Sequence, residues 1–112
     1  MRAFVVSEID ETLSTEVRDV EAAATDPSDV LIAVDFSGVN YKDAMVAAPK
    51  SRVRRVASLV GGVDAAGTVV RSDNAAFPID TYVAVHGGSL GVARDGGFAE
   101  FIYCLLYTSR CV

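Results

Sequence analysis

One alternating stretch in the first half of the chain predicts the element around which the rest is arranged. In residues 30–37 every second position is apolar and either β-branched or aromatic, namely Val30, Ile32, Val34 and Phe36. A period-two pattern of such residues is typical of a β-strand. Gly38 ends the run, and Asn40-Tyr41-Lys42-Asp43 follows directly. The pattern therefore predicts a rigid strand that delivers polar side chains into the turn behind it, a common support for chemistry.

The segment behind that turn predicts a short helix. Residues 43–48 (Asp-Ala-Met-Val-Ala-Ala) are mostly good helix formers, and Pro49 stops the pattern. Asp43 has two interpretations. It caps the helix within an ordinary polar turn, or it belongs to a site built on that turn. The spacing alone favours the ordinary turn.

Further strands are predicted on both sides of this unit. The clearest are residues 1–6, 62–70 and 82–86. Residues 12–24 fit either one face of a helix or an exposed strand, and residues 26–29 (Asp-Pro-Ser-Asp) predict a turn. Early strands that lead into residues 30–37 through short connections are typical of an antiparallel barrel.

Composition limits the size and the partners of this protein. Its 112 residues are 51% hydrophobic and 22% charged, which is typical of one globular domain. The formal net charge of −5 disfavours nucleic acid as a partner, because phosphate backbones are bound by concentrated Lys and Arg. The apolar runs are shorter than a membrane span, and residues 1–20 carry acids rather than the basic start of a signal peptide. We therefore predict no membrane partner and a cytoplasmic location.

Metal-binding residues are scarce. Both cysteines, Cys104 and Cys111, lie in the last nine residues, and His86 is the sole histidine. Residues 1–103 thus hold no thiolate for a structural zinc site, and a lone histidine is more often a structural or surface residue. The glycine-rich residues 87–97 do not form the G-x-G-x-x-G or P-loop pattern, so we predict no nucleotide motif there.

Three blocks in order resemble one enzyme superfamily. They are Ser37-Gly-Val-Asn40-Tyr41-Lys42-Asp43, Gly62-Val-Asp64-Ala-Ala-Gly67-Thr68-Val69 and Gly96-Gly97-Phe98-Ala99-Glu100. Together they resemble the medium-chain dehydrogenase/reductase superfamily, and within it the zinc-independent quinone oxidoreductase and acryloyl-CoA reductase branch. The resemblance covers residues 1–103. It implies a mainly β, GroES-like, partly open β-barrel with one or two short helices, incomplete and truncated before the Rossmann domain. It also favours a strand for residues 12–24.

The resemblance also implies an activity for the full-length protein. This is NADPH-dependent reduction of an activated carbon–carbon double bond, in acryloyl-CoA or a similar enoyl thioester, or reduction of a quinone. NADPH would be bound mainly by the missing domain, so the chain alone is expected to be inactive, and the full-length protein is expected to be a homodimer. Zinc-dependent relatives carry a Cys and a Gly-His-Glu where this chain has Asn40-Tyr41 and Gly62-Val63-Asp64. We therefore predict no zinc.

Site roles follow from the matched positions. Tyr41 is predicted to orient the substrate or relay a proton, and Asn40 to donate hydrogen bonds to substrate and cofactor. Lys42 is predicted to meet a cofactor or CoA phosphate, or else to face solvent. Arg52 belongs to a basic segment with Lys50, Arg54 and Arg55, which either attracts an anionic substrate or is a solvated loop. The residues predicted to be structural are Asp43, Asp64, Gly62 and Gly67.

Two departures and one alternative complete the picture. Asp80 and Thr81 stand where the family has Gly-Asp, and Asp tolerates the left-handed conformation that such a turn requires. The resemblance ends before residues 104–112, which we interpret as a non-native tail, the alternative being a genuine apolar terminal strand. The competing function is a stand-alone, co-chaperonin-like binding module. No apolar docking triplet lies within its glycine-rich loop.

Overall fold

The computed structural model describes residues 1–22 and 30–104. Seven strands and one helix follow the chain in this order: β1 Arg2–Ile9, β2 Thr12–Asp19, β3 Val30–Phe36, α1 Tyr41–Val46, β4 Ser58–Val60, β5 Asp64–Arg71, β6 Tyr82–His86 and β7 Phe101–Cys104. The four strands predicted from the pattern are present, and the ambiguous residues 12–24 contain a strand. The predicted turn at 26–29 and most of the predicted tail, residues 105–112, lie outside the described residues.

The strands form two antiparallel sheets. The first has the order β2-β1-β4 and the second the order β6-β5-β3-β7. β1 and β2 form a hairpin from Arg2↔Asp19 to Ile9↔Thr12, while β3 pairs with β5 and β7 in the other sheet. The two early strands therefore lead into β3 along the chain but do not pair with it. Within the described residues the sheets do not close into a barrel, and the mainly β, partly open GroES-like architecture is confirmed.

The core follows the alternation seen in the sequence over the first part of β3 only. Val30 and Ile32 of β3 are fully buried, while Asp35 and Phe36 at its end are exposed. The largest cluster packs β3 against its neighbours β5, β6 and β7, and its members are Val30, Ile32, Ala65, Val69, Phe77, Val83, Val85, Leu90 and Ile102. A second cluster joins α1 to the first sheet through Val6, Val46, Leu59 and Val92. The end of β3 that carries the polar turn is thus held by a buried strand.

The helix begins two residues earlier than predicted. It spans Tyr41–Val46, and Asn40, not Asp43, occupies its N-cap position. Asp43 instead lies at the third helical position, from which its Oδ2 accepts the backbone N–H of Asn40 at 2.7 Å. This is the half of a capping box in which the acidic residue reaches back to the cap. The first turn therefore includes the Tyr41-Lys42 pair, which the sequence analysis placed before the helix.

A buried ion pair connects β1 to the basic segment after α1. The Arg54 guanidinium contacts the Glu8 carboxylate and donates to the carbonyl of Val46 at 2.6 Å, and its side chain is only 5% exposed. The backbone N–H of Lys50 donates to Glu8 Oε2 at 2.9 Å. That N–H is the main reason why the pKa of Glu8 lies below its ordinary value of 4.5, and Arg54 adds to it against the opposing effect of partial burial.

We therefore expect acid to weaken this connection. A carboxylate whose pKa is lowered by folding stabilises the protein above its ordinary pKa, and that contribution is lost as the pH falls through the folded-state value. The free energy of unfolding, measured by urea denaturation between pH 7 and pH 3, should fall more steeply in the natural chain than in Glu8→Gln. The exposed Glu11 in the β1–β2 turn offers the control variant Glu11→Gln. Equal slopes for all three proteins would contradict the prediction.

Candidate functional site

The turn after β3 is fixed from one side by the carboxylate of Asp43. Asp43 is buried, with 8% of the residue exposed. Its Oδ2 accepts the Asn40 N–H at 2.7 Å, and its Oδ1 accepts the backbone N–H of Val63 at 2.9 Å. A buried carboxylate needs such donors, because burial without them is costly. Asp43 therefore connects the start of α1 to the loop that precedes β5.

The carboxylate of Asp64, at the start of β5, fixes the same turn from a second side. Its Oδ1 accepts the backbone N–H of Gly38 at 2.6 Å, and its Oδ2 accepts the Asn40 side-chain Nδ2 at 2.9 Å. The Ser37 hydroxyl donates to the backbone carbonyl of Asp64 at 2.8 Å. Residues 37–40 are thus anchored to one point on β5, and these are contacts that a structural role for Asp64 requires.

Asn40 lies between the two carboxylates. Its Nδ2 donates to Asp64 Oδ2 at 2.9 Å and approaches Asp43 Oδ2 at 3.4 Å. Ionised carboxylates only accept, so their positions orient the amide with its nitrogen toward them. The donor that the sequence analysis assigned to substrate or cofactor is therefore already used within the protein. A ligand that took this donor would compete with Asp64, and the role of Asn40 stays a prediction.

Tyr41 and Lys42 project from the first turn of α1. Tyr41 is 83% exposed. In residues 1–22 and 30–104, neither the Tyr41 phenol nor the Lys42 ammonium has a hydrogen bond or ion pair. The structure places both side chains next to the anchored Asn40, where they remain available to a ligand. For Tyr41 to take part in chemistry shielded from water, another surface would have to cover its side chain.

A cavity of about 320 Å³ lies between this turn and the end of β6. Its lining comes from three parts of the chain: Asn40 and Lys42, then Val63 and Asp64, then His86, Gly87, Gly88 and Leu90. His86 stands directly opposite Asp64 in the antiparallel β5–β6 register. The sequence analysis gave His86 no site role. The signal that could have found it is its position, since His86 ends a strand just before a glycine-rich loop.

Arg52 is exposed and does not line this cavity. The basic segment to which it belongs is also less uniform than its sequence indicates, because Arg54 is buried against Glu8. Arg54 therefore contributes no free surface charge for an anionic ligand. Arg52 is not among the residues that line the cavity, and its predicted role in substrate binding stays a prediction.

Gly62 and Gly67 occupy positions that a side chain would disturb. Gly62 has a φ of +103°, and a Cβ built there would lie 2.7 Å from the backbone nitrogen of Phe98. At Gly67 a Cβ would lie 2.0 Å from the carbonyl oxygen of Ala33 on the neighbouring strand. Asp80 adopts a φ of 75°, the left-handed conformation expected for it. The glycines let β5 and the loop before it approach their neighbours closely.

The described residues, 1–22 and 30–104, lack two features. They contain no group of three or more His, Cys, Asp and Glu side chains arranged to hold a metal ion. They also contain no helix with the length and apolar character needed to cross a bilayer.

Comparison with known families and proteins gives a consistent result. The family model of the alcohol dehydrogenase GroES-like domain matches residues 26–108. Over 89 residues the chain is 37% identical to "Putative quinone oxidoreductase YhfP" of Bacillus subtilis, covering 80% of this chain and 27% of that protein. Over 100 residues it is 30% identical to "Probable acrylyl-CoA reductase AcuI" of Escherichia coli, covering 89% of this chain and 31% of that protein.

Solved structures of relatives share the fold. The crystal structure of B. subtilis YhfP with NAD bound superposes with a TM-score of 0.84 at 33% identity, covering 91% of this chain and 31% of that one. The YhdH oxidoreductase of Salmonella enterica in complex with NADP gives a TM-score of 0.82 at 30% identity, covering 91% and 32%. The chain thus spans about 30% of the length of the relatives that it matches.

Proposed function

Because this chain belongs to the alcohol dehydrogenase GroES-like domain family, we propose that it is the substrate-side domain of an NADPH-dependent reductase. The substrate is an activated carbon–carbon double bond, in acryloyl-CoA or a similar enoyl thioester, or a quinone. The names of YhfP and AcuI support these two substrate classes, and NAD or NADP bound to solved relatives supports the cofactor. The observation that carries the proposal is the turn at 37–43, which Asp43 and Asp64 hold rigidly beside a cavity.

The fit of a nicotinamide cofactor to these residues is partial. A cavity of about 320 Å³ has room for one ring system, but not for a whole dinucleotide. Asn40 and Lys42 line it. Asn40 would meet the nicotinamide end, where the bound cofactor supplies a hydride, and Lys42 is available to an anionic group. We propose that a nucleotide-binding domain beyond residue 103 holds the remainder, that the domain described here needs it for activity, and that the full-length protein is a homodimer.

A task is proposed for three residues, Tyr41, Asp43 and Asp64. Tyr41 orients the substrate carbonyl or relays the proton that reaches the α-carbon, while Asp43 and Asp64 keep residues 38–41 in place. Positioning of this kind generally lowers the activation barrier by several kcal/mol, and the two hydrogen-bonded carboxylates supply it here. No zinc is included in the proposal, because this chain has Asn40-Tyr41 and Gly62-Val63-Asp64 where zinc-dependent relatives carry a Cys and a Gly-His-Glu.

The test is an assay of the protein encoded by the complete reading frame. Purified protein is mixed with NADPH or NADH and with acryloyl-CoA, crotonyl-CoA or a benzoquinone, and the loss of absorbance at about 340 nm is followed with and without EDTA. We expect substrate-dependent oxidation of NADPH that EDTA does not abolish. A protein that binds a nicotinamide nucleotide but oxidises it with none of these acceptors would contradict the proposal.

Tyr41→Phe in that protein tests the proposed role of the phenol. The change removes one hydroxyl from a side chain that is 83% exposed, so folding should be unaffected. We expect kcat/KM for the enoyl thioester to fall about 100-fold, the lower end of the effect of a general acid or base. Tyr82→Phe is the matched control, since Tyr82 is 48% exposed on β6 and outside the cavity lining. Equal rates for both variants would remove Tyr41 from the chemistry.

A further inference from the structure

We propose that Lys42 and His86 together form a pocket of hydrogen-bond donors for one negatively charged oxygen. The inference rests on the proposed function, because the oxygen in question is that of the enolate formed during reduction of the double bond. Both residues line the cavity of about 320 Å³ beside the anchored turn. They come from different elements, α1 and the end of β6, so the pocket exists only in the folded domain.

The sheet register aims His86 at this cavity. Residues directly opposite each other in an antiparallel pair have their side chains on the same face. His86 is opposite Asp64, and the Asp64 carboxylate reaches Gly38 and Asn40 in the turn. The imidazole is therefore on the face of the β5–β6 pair that carries the turn, and Lys42 lies two residues beyond Asn40.

The contacts around the pocket leave the Lys42 and His86 side chains available as donors. In residues 1–22 and 30–104 neither the Lys42 ammonium nor the His86 imidazole has a hydrogen bond or ion pair. The carboxylates nearby are those of Asp64 and Asp43. Both oxygens of each accept hydrogen bonds from the turn or from Val63, and Asp43 is 8% exposed. Both carboxylates thus hold the turn in place, and that of Asp64 lines the cavity together with the Lys42 ammonium and the His86 imidazole.

The loop beyond His86 leaves space for a ligand. Gly87 and Gly88 have φ values of 77° and 62°. A Cβ built on Gly88 would meet no atom within 4 Å, so the backbone there borders open space. His86 is itself exposed, so a small polar group can reach the imidazole.

The chemistry requires such a pocket. When the β-carbon of an enoyl thioester gains a hydride, the π electrons of the double bond shift and the pair comes to rest on the carbonyl oxygen as an enolate. A proton added at the α-carbon then restores the carbonyl and completes the addition of two hydrogens. Donors placed where the negative charge develops lower the barrier, and removing one of them typically lowers kcat by about 100-fold or more. Lys42 and His86 are placed to be these donors.

Acrylate tests the pocket without any catalysis. Its carboxylate places an anionic oxygen next to a double bond, and acrylamide is the neutral probe of the same shape. The ¹⁵N-labelled 112-residue chain is titrated with each probe while amide shifts are followed by NMR. We expect acrylate to shift residues 86–88 and 42, and to bind at least about fivefold more tightly than acrylamide. Equal affinities for the two probes would overturn the proposal.

Variants distinguish binding of acrylate in this pocket from a general attraction of acrylate to positive charge on the protein. Lys42→Met and His86→Gln should each weaken acrylate at least about fivefold, whereas Lys50→Met should not, because Lys50 is exposed outside the cavity lining. Unchanged acrylate binding in both cavity variants would overturn the pocket.

The full-length protein distinguishes the two proposals from each other. There, His86→Gln should lower kcat about 10-fold or more with little change in KM. Acrylate binding without reductase activity would leave the pocket standing and refute the proposed function. Reductase activity that neither variant alters would refute the pocket.

Discussion

Gly67→Ala is expected to lower the free energy of unfolding by about 3 kcal/mol or more, at the upper end of overpacking effects. A Cβ at this position would lie 2.0 Å from the carbonyl oxygen of Ala33 and 3.0 Å from the Cα of Val34. These atoms belong to the backbone of β3, so they cannot move aside as the end of a side chain could. Relief of the contact requires β5 and β3 to separate where β3 approaches the site.

The matched control for Gly67 is Gly88→Ala. Gly88 has a positive φ of +62° but open space around its Cα, so alanine there is strained without a clash. That strain costs about 1 kcal/mol. In chemical denaturation, Gly67→Ala should therefore have a clearly lower free energy of unfolding than Gly88→Ala. In NMR spectra, amide shifts should change along both β3 and β5 for Gly67→Ala alone. A Gly67→Ala chain as stable as the control would show that the two strands are not held as closely as the structure describes.

Asp43→Ala is expected to lower the free energy of unfolding by about 3 kcal/mol, because the backbone N–H groups of Asn40 and Val63 would both lose their acceptor. Leaving a donor of this kind unpaired costs about 1–3 kcal/mol in a buried place. The loss should also be visible locally. Amide hydrogens of residues 40 and 63 should exchange faster with solvent than in the natural chain, since each now lacks its partner.

Two variants sharpen this prediction. Asp35→Ala is the matched control, since Asp35 is exposed at the end of β3 and should cost less than about 0.5 kcal/mol. Asp43→Asn keeps one acceptor oxygen but turns an NH₂ group toward a backbone N–H, so its stability should fall between the two. If Asp43→Ala unfolds at the same denaturant concentration as Asp35→Ala, the carboxylate does not anchor the turn.

Local patterns predicted the strand and the turn well for a physical reason. The alternation in residues 30–37 reflects a buried face in the first part of β3, where Val30 and Ile32 are buried. It does not extend to Phe36, which lies beyond a shift in the strand register and is 71% exposed. The start of α1 was predicted wrongly, because helix formers at 43–48 were considered without the Asn40-x-x-Asp43 capping pattern. That pattern was present in the sequence and moves the helix start to Tyr41.

Contacts between distant residues were beyond sequence reasoning. The bond from Asn40 to Asp64 joins positions 24 residues apart, and it uses the donor that had been assigned to a ligand. Likewise, nothing local distinguishes Arg54, buried against Glu8, from the exposed Arg52 two residues earlier. His86 joins the cavity only because the β5–β6 register places it opposite Asp64.

The family could be identified from the sequence because its motifs are short runs of consecutive residues, which can be recognised without knowing the three-dimensional structure. The three blocks at 37–43, 62–69 and 96–100 predicted the medium-chain dehydrogenase/reductase superfamily, and the match to its GroES-like domain confirms that prediction. The same blocks also come together in space. Asp43 and Asp64 anchor the first block to the second, and Gly97 donates its N–H to the carbonyl of Gly62 at 3.0 Å.

Isotope transfer tests the central claim, that the domain carrying the turn at 37–43 belongs to a protein that transfers a hydride from a nicotinamide to the β-carbon of an enoyl thioester. The protein from the complete reading frame is incubated with acryloyl-CoA and NADPH carrying deuterium at C4, in separate reactions for the two C4 positions, and the product is analysed by mass spectrometry and NMR. We predict propionyl-CoA with a single deuterium on its β-carbon from one of the two cofactors. Propionyl-CoA without deuterium from either cofactor, or no product from a folded protein that binds NADPH, would contradict the claim.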